Sequence, residues 1–171
     1  ITELAKSISG NSEIDVVERH TEKPQLIEVS SREAESQLMR EMIMEVDVNN
    51  PTSTAYIFKL EKDAIAFFES LGELQKRATL LVSGCQAFTN GIVVTTSHMA
   101  KGLEFDRVYL LDCNEGIIPY KKSITEEQIE EERRLFYVAV TRAKEKLAIW
   151  YLDGGKENHH MVSRFVKEAK K

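Results

Sequence analysis

"VVTTSHMAKGLEFDRVYLLD", residues 93–112, places a polar centre between two apolar strand-like segments. The flanking segments, 92–96 and 106–112, are nearly continuous apolar runs. Such runs are typical of parallel strands that are buried on both faces of a sheet. Ligands of open parallel sheets gather beyond the carboxyl ends of the strands. The polar centre, which follows the first of these strands, is therefore a candidate ligand-binding loop.

Strand and helix patterns alternate on both sides of this stretch. The alternation predicts an α/β fold with a mostly parallel sheet, helices on both faces, and one domain over residues 1–171. In the helix that begins after Ser30 or Ser31, apolar Leu38, Met42 and Val46 recur four residues apart. Residues 79–91 look like the loosest stretch of the chain. The other predicted strands are 25–29, 54–58 and 147–151, and the predicted helices are 1–8, 32–46, 63–71, 125–143 and 159–169.

Composition narrows the class of protein. A formal net charge of -5 and a pI near 5.5 argue against a globally basic nucleic-acid-binding surface, but leave room for a local groove. Cys85 and Cys113 match no metal-binding spacing and are interpreted as free thiols of a reducing compartment. The remaining histidines, His20, His159 and His160, lie in polar contexts, and no metal site is predicted.

The chain is expected to be cytoplasmic. No apolar run reaches the roughly 18–20 residues that a membrane helix requires, so no membrane contact is predicted. Because the chain begins at Ile1 and not at methionine, we expect a fragment of a longer protein.

The polar centre itself predicts an anchored loop. Thr96 or Ser97 can cap a short helical turn, and Gly102 can end that turn in a left-handed conformation. His98, Lys101 and Glu104 would then be held in fixed positions between apolar neighbours. From the spacing alone, an ordinary polar connection remains an equal alternative.

A second polar and apolar pattern, "EERRLFYVAVTRAKEKLAIWY", covers residues 131–151. Ser123 and Glu126 have the spacing of a capping box. Leu135, Val138 and Arg142 share one helix face, which places Arg142 at the end of the core-facing stripe. A buried arginine requires an anionic partner, which is either a carboxylate of this chain or a phosphate from outside it. Arg133 and Arg134 are expected to form salt bridges with nearby glutamates.

Together the two stretches resemble the last motifs of the UvrD/Rep/PcrA-like superfamily 1 DNA helicases. The segment "NEGIIP", residues 114–119, resembles the EGxxP turn that follows the first motif in that family. The final motif is matched by "EERRLFYVAVTRAK". The first motif, TxHxxKGLEF, is matched by Thr96, His98, Lys101, Gly102, Leu103, Glu104 and Phe105.

The resemblance implies a C-terminal, RecA-like (P-loop NTPase-like) three-layer motor domain. The chain contains neither GxxxxGK[ST] nor GxGxxG, so ATP and Mg²⁺ are expected to be bound mainly by an N-terminal motor domain of the same protein. By resemblance, Arg142 is the catalytic arginine that reaches the γ-phosphate, and Glu104 and Gly102 contact ATP. Lys59 stands near the place of a family arginine, but lacks its planar fork. Thr96, His98 and Lys101 resemble residues that line the path of single-stranded DNA and couple it to the ATP site.

The implied function is that of an ATP-dependent DNA helicase or translocase whose isolated C-terminal domain is inactive. Residues 59–91 leave no room for the large accessory domain of UvrD and Rep, and this shortened layout resembles the helicase IV-like (HelD-like) branch. The alternative function is therefore an ATP-driven factor that remodels RNA polymerase. A helicase-nuclease subunit and a plain α/β binding domain are two further alternatives, and no feature of the chain favours either.

Overall fold

The computed structural model describes residues 1–9, 22–47, 49, 51–85, 91–153 and 161–169. The predicted α/β alternation is confirmed, and a short 3-10 segment, Gly72–Arg77, follows the third helix. The helices are α1 (Thr2–Ser9), α2 (Arg32–Glu45), α3 (Glu61–Ser70), α4 (Glu126–Val140) and α5 (Arg164–Ala169). The strands are β1 (Gln25–Val29), β2 (Thr54–Phe58), β3 (Ala78–Leu81), β4 (Ile92–Thr96), β5 (Phe105–Leu110) and β6 (Ala143–Leu152).

The strands form one six-stranded sheet in the order β1-β6-β5-β2-β4-β3. All five neighbouring pairs are parallel, so the carboxyl ends of the strands meet at one edge of the sheet and the amino ends at the other. Every residue of β2 and of β4 is buried, as expected for inner strands covered on both faces.

Each face of the sheet has its own hydrophobic core. On one face, Ala5 of α1, Phe136 of α4 and Phe165 of α5 pack in one cluster of buried residues. On the other face, Met39 of α2 and Phe67 of α3 pack in a second cluster. The sheet thus lies between two layers of helices, which is the predicted three-layer arrangement.

The buried side of α2 differs from the prediction. Leu38 is 41% exposed, and the residues that α2 buries are Glu35, Met39 and Ile43. Both sets recur every four residues, so periodicity alone could not choose between them. Ser31 does cap this helix, because its hydroxyl accepts a hydrogen bond from the Ala34 amide at 3.1 Å.

The ends and the buried side of α4 also differ from the prediction. The capping box consists of Thr125 and Gln128, not Ser123 and Glu126. The helix buries Phe136, Ala139 and Val140, and Leu135 and Val138 are only half-buried. Since α4 ends at Val140, Arg142 belongs to the turn that leads into β6 and does not continue a helical stripe.

Several smaller predictions have clear outcomes. Part of the presumed loose stretch forms β3, and β6 begins four residues earlier than expected. The predicted ion pairs of Arg133 and Arg134 are present, with Glu130 and Glu168 for Arg133 and with Glu131 for Arg134.

Both cysteines are free thiols, Cys113 buried and Cys85 exposed. The predictions on His20, His159 and His160 lie outside the described residues. Among the helices that the structure describes, none combines the length and apolarity needed to cross a membrane.

Candidate functional site

The loop between β4 and β5 is held as the sequence predicts. The Thr96 hydroxyl accepts a hydrogen bond from the Met99 amide at 3.3 Å, and the Thr96 carbonyl accepts one from the Ala100 amide at 2.9 Å. Gly102 has a φ of +84°, the left-handed conformation that glycine adopts without strain. The capped turn and its glycine end fix the course of the loop, which confirms both predictions.

This loop joins the two opposite edges of the sheet. At the carboxyl edge, the Ser97 amide donates to the Phe58 carbonyl of β2 at 3.2 Å. At the amino edge, the Phe105 amide donates to the Arg142 carbonyl at 2.9 Å. The loop, residues 97–104, is therefore tied to a neighbouring segment at both of its ends.

Two of the predicted DNA-contacting side chains point into open space. His98 and Lys101 are exposed, and neither side chain has a hydrogen bond or ion pair within the described part of the chain. Thr96, by contrast, is only 4% exposed and is occupied as the cap of the turn. The loop thus exposes one lysine and one histidine side chain on a fixed backbone.

Arg142 is anchored by neutral oxygen atoms. Its Nε donates to the Val138 carbonyl at 3.0 Å, and one terminal nitrogen donates to the Leu103 carbonyl at 3.1 Å. The other terminal nitrogen donates to the Thr141 hydroxyl at 3.2 Å. No described carboxylate lies within ion-pair distance of this guanidinium.

This geometry separates the two alternatives that the sequence left open for Arg142. A guanidinium has five N–H donors, and the three hydrogen bonds leave two of them available. The positive charge is therefore oriented but not neutralised by the described residues. A half-buried cation in this state suits an anion supplied from outside the domain.

Glu104 lies beside Arg142 at the amino edge of the sheet. Phe105 of β5 and Ala143 of β6 are register partners, so the residues that precede them are also neighbours. Glu104 is exposed there. Two of the residues that the resemblance assigns to ATP, Glu104 and Arg142, are thus brought together, although 38 positions separate them in the sequence.

Lys59 lies at the other edge of the sheet. It directly follows β2, and its ammonium group forms an ion pair with Glu132 of α4 at 2.7 Å. Both side chains are nearly buried, at 10% and 12% exposure. Since β2 spans roughly 16 Å, Lys59 is well separated from Arg142. A contact between Lys59 and a phosphate stays a prediction, and it would require this ion pair to open.

The segment that resembles the EGxxP turn, residues 114–119, forms a turn whose side chains hold two other elements in place. The Asn114 side chain is fully buried, donates to the Leu152 carbonyl at 2.9 Å and accepts from the Leu152 amide at 2.9 Å. The Glu115 carboxylate accepts from the Arg164 amide at 3.0 Å and pairs with the Arg164 guanidinium. Both residues therefore fix the end of β6 and the start of α5.

Sequence reasoning missed a buried carboxyl pair at the carboxyl edge. Glu35 of α2 is 2% exposed and Asp112 is 1% exposed, with Asp112 held in a left-handed conformation at φ +55°. Burial, and next the nearby charge of Asp112, raise the pKa of Glu35 to about 8. Arg32 offsets part of this increase in the pKa of Glu35, because its positive guanidinium lies 3.1 Å from the Asp112 carboxylate. A glutamate in a largely polar helix gives no signal of burial.

Comparison with known proteins identifies the family of this chain. The model of the UvrD-like helicase C-terminal domain family matches residues 63–154, which is more than half of the chain and includes the loop and Arg142. The chain belongs to the UvrD-like helicase C-terminal domain family. This confirms the resemblance that the two motifs indicated.

Individual relatives of this UvrD-like domain are DNA helicases. DNA helicase II of Haemophilus influenzae is 46% identical over 82 residues, covering 45% of this chain and 11% of the relative. DNA helicase II of Escherichia coli is 44% identical over 84 residues, covering 46% of this chain and 12% of the relative. The ATP-dependent DNA helicase PcrA of Staphylococcus aureus is 41% identical over 86 residues, covering 46% of this chain and 12% of the relative. The matched segment thus covers only 11% or 12% of each relative's length.

Solved structures support the same fold. The C-terminal domain of a possible DNA helicase from Lactobacillus plantarum has a TM-score of 0.68 and 23% identity, covering 98% of this chain and 89% of that one. The C-terminal domain of the DEAD-box protein Dbp5 has a TM-score of 0.54 and 12% identity, with 77% of each chain covered. The UvrD-like domain therefore has the fold of helicase C-terminal domains, and the RecA-like prediction is confirmed.

Proposed function

We propose that this UvrD-like domain completes the ATP site of an ATP-dependent DNA helicase or translocase and contacts its single-stranded DNA. The observation that supports the proposal is the state of Arg142. Its guanidinium is oriented by carbonyl and hydroxyl oxygens and has no carboxylate partner among the described residues. A preorganised cation of this kind stabilises the negative charge that develops during phosphoryl transfer.

The proposed nucleotide side lies at the amino edge of the sheet. There Arg142 is the catalytic residue that meets the γ-phosphate, and Glu104 accepts hydrogen bonds from the nucleotide, in keeping with its exposed position. Gly102 contributes its backbone, because a glycine with open space around it lets a ligand approach closely. Lys59 is a further candidate ATP contact, on condition that its ion pair with Glu132 opens.

The proposed DNA side begins at the carboxyl edge. Thr96 fixes the turn, and the exposed His98 and Lys101 meet the sugar-phosphate backbone of a single strand. A net charge of -5 for the whole chain limits the contact to this local surface. We expect DNA binding by the isolated domain to be weak for that reason.

ATP supplies the phosphoryl group that is transferred, and Mg²⁺ neutralises the phosphate charge. The residues of this chain that suit the nucleotide are Arg142 and Glu104. No group of three or more His, Cys, Asp or Glu side chains in the described ranges is arranged to hold a metal ion. In the proposal, the ligands of Mg²⁺ and the phosphate loop come from the N-terminal motor domain of the same protein.

The proposal is tested by ATP hydrolysis of the full-length protein, with and without single-stranded DNA. We expect strong stimulation by DNA, and a loss of turnover of at least about a hundredfold in Arg142→Ala. DNA affinity should be nearly unchanged in that variant. Arg134→Ala is a matched control, because Arg134 is a largely exposed arginine of the preceding helix. Normal turnover combined with lost DNA binding in Arg142→Ala would contradict the assigned role.

A second candidate function follows from the short connection between β2 and β4. Residues 59–91 include α3, the 3-10 segment and β3 and leave no space for a large accessory domain. This layout favours the helicase IV-like branch, in which the ATPase would act on RNA polymerase. Retention of RNA polymerase by the full-length protein at low salt, together with ATP turnover that ignores DNA, would support this candidate over the first.

A further inference from the structure

A short turn segment, residues 120–124, lies at the carboxyl edge between residues 114–119 and α4. Its lysines, Lys121 and Lys122, are both exposed, and neither forms a hydrogen bond or ion pair through its side chain within the described part of the chain. Ile124 is 83% exposed, more than any other large apolar side chain of the described ranges. The segment thus exposes two unpaired cations and one apolar side chain that has no role in either core.

The backbone of this segment is held in place. The Lys121 amide donates to the Gly116 carbonyl at 2.9 Å, and the Ser123 amide donates to the Tyr120 carbonyl at 2.8 Å. The Tyr120 amide donates to the Glu132 carboxylate at 3.3 Å. The two lysines are therefore carried by a fixed turn, which lowers the entropy lost when a ligand binds them.

Glu132 also places the segment next to the β4–β5 loop. Its second carboxylate oxygen pairs with Lys59, which directly follows Phe58. The Phe58 carbonyl in turn accepts from Ser97, the first residue of the loop. Residues 120–124 and the start of the loop that carries Lys101 therefore both lie at the carboxyl edge of the sheet. The Lys59–Glu132 ion pair connects them.

The charges at this edge suit an extended anion. Lys101, Lys121 and Lys122 are exposed without an ion-pair partner among the described residues, in a chain whose net charge is -5. Single-stranded nucleic acids are bound by cations that follow the phosphates and by apolar side chains that pack on the bases. The first turn of α4 is acidic, with Glu126 and Glu127, so a polyanion following the lysines would end at Ile124.

We propose that Lys121 and Lys122 form a second phosphate contact for single-stranded DNA, with Ile124 packing against a base. The strand would pass from Lys101 across the carboxyl edge to residues 120–124. This inference rests on the proposed function and extends its DNA site to a segment outside both motifs.

The test measures binding of a fluorescent oligothymidylate of about 20 nucleotides to the full-length protein by anisotropy, across a range of salt concentrations. Each phosphate contact on a single strand contributes about 0.7 to the slope of log K against log salt. Lys121→Gln/Lys122→Gln should therefore reduce that slope by about 1.4 and weaken binding roughly tenfold at low salt. Ile124→Ser should weaken binding while leaving the slope unchanged, because it removes an apolar contact only.

The matched control is Lys23→Gln/Arg40→Gln, which removes two exposed cations, one just before β1 and one on α2, that have no ion-pair partner among the described residues. We expect wild-type affinity and slope for this control. An unchanged slope in Lys121→Gln/Lys122→Gln would overturn the inference if Lys101→Gln still reduces the slope, and the proposed function would then stand. An unchanged affinity and slope in all of these variants would overturn both the inference and the proposed DNA contact. An effect seen only with duplex DNA would also overturn the assignment to a single strand.

Discussion

Replacing Glu35 by glutamine should make this chain more stable at neutral and mildly alkaline pH, although the residue is buried. The pKa of Glu35 is raised from 4.5 to about 8, first by burial and then by the charge of Asp112. Other groups in the same cluster are Arg32, which lowers this pKa, and the thiol of Cys113, whose own pKa is raised by its burial. The glutamate is therefore neutral in the folded state at neutral pH.

The sign of the effect follows from proton linkage. Between pH 4.5 and about 8 the folded chain keeps a proton on Glu35 that the unfolded chain releases. The contribution of Glu35 to folding stability is thus fully present below its unfolded-state pKa of 4.5. It is lost as the pH rises toward its folded-state pKa of about 8. At about 1.4 kcal/mol per pH unit, the loss between about pH 5 and pH 8 is on the order of 4 kcal/mol.

Glutamine keeps the shape and the neutral charge of the protonated side chain at every pH. Glu35→Gln should match the wild type within about 1 kcal/mol near pH 5 and exceed it by a few kcal/mol near pH 8. Urea unfolding at a series of pH values measures the difference between the two proteins. Glu45→Gln is the control, because Glu45 is exposed on the same helix. Parallel stability curves for wild type and Glu35→Gln would refute the reasoning.

Two further changes test other parts of the fold. Lys59→Met should destabilise the chain by about 3 kcal/mol, because it leaves the nearly buried Glu132 carboxylate without its cation, and Lys59→Met/Glu132→Met should recover much of that loss. Additive losses in a double-mutant unfolding cycle would show that the pair is not coupled. Gly102→Ala should cost about 1 kcal/mol in unfolding free energy, because φ is +84° but no atom lies near the added methyl group. A loss of several kcal/mol there would mean that the loop is more tightly packed than its geometry implies.

Local chemistry made the β4–β5 loop predictable. A threonine cap and a left-handed glycine are determined by the nearest residues, so the turn from Thr96 to Gly102 could be derived before any contact was known. A continuous apolar run likewise predicted β4, because burial on both faces removes the polar alternation of a strand. These features needed no information from distant parts of the chain.

Long-range partners decided the features that the sequence did not predict. Glu132 and Lys59 are 73 positions apart, and no local pattern indicates that they form a pair. In α2, Leu38 is 41% exposed and Met42 and Val46 are only partly buried, whereas Glu35 is buried beside Asp112. Strand β3 has only four residues at the edge of the sheet, and so short a run resembles a loop.

The position of the β4–β5 loop bears directly on how the proposed DNA and nucleotide contacts could be coupled. One covalent segment, residues 97–104, begins at the carboxyl edge of the sheet, carries the exposed His98 and Lys101, and ends with Glu104 at the amino edge. Its far end accepts the Arg142 side chain through the Leu103 carbonyl. If a strand binds this loop as proposed, a displacement of the loop would move one of the three oxygen atoms that orient this guanidinium, without any relay through the buried core. Coupling of this kind would require a stiff loop, and the Thr96 cap would then have a role beyond local stability.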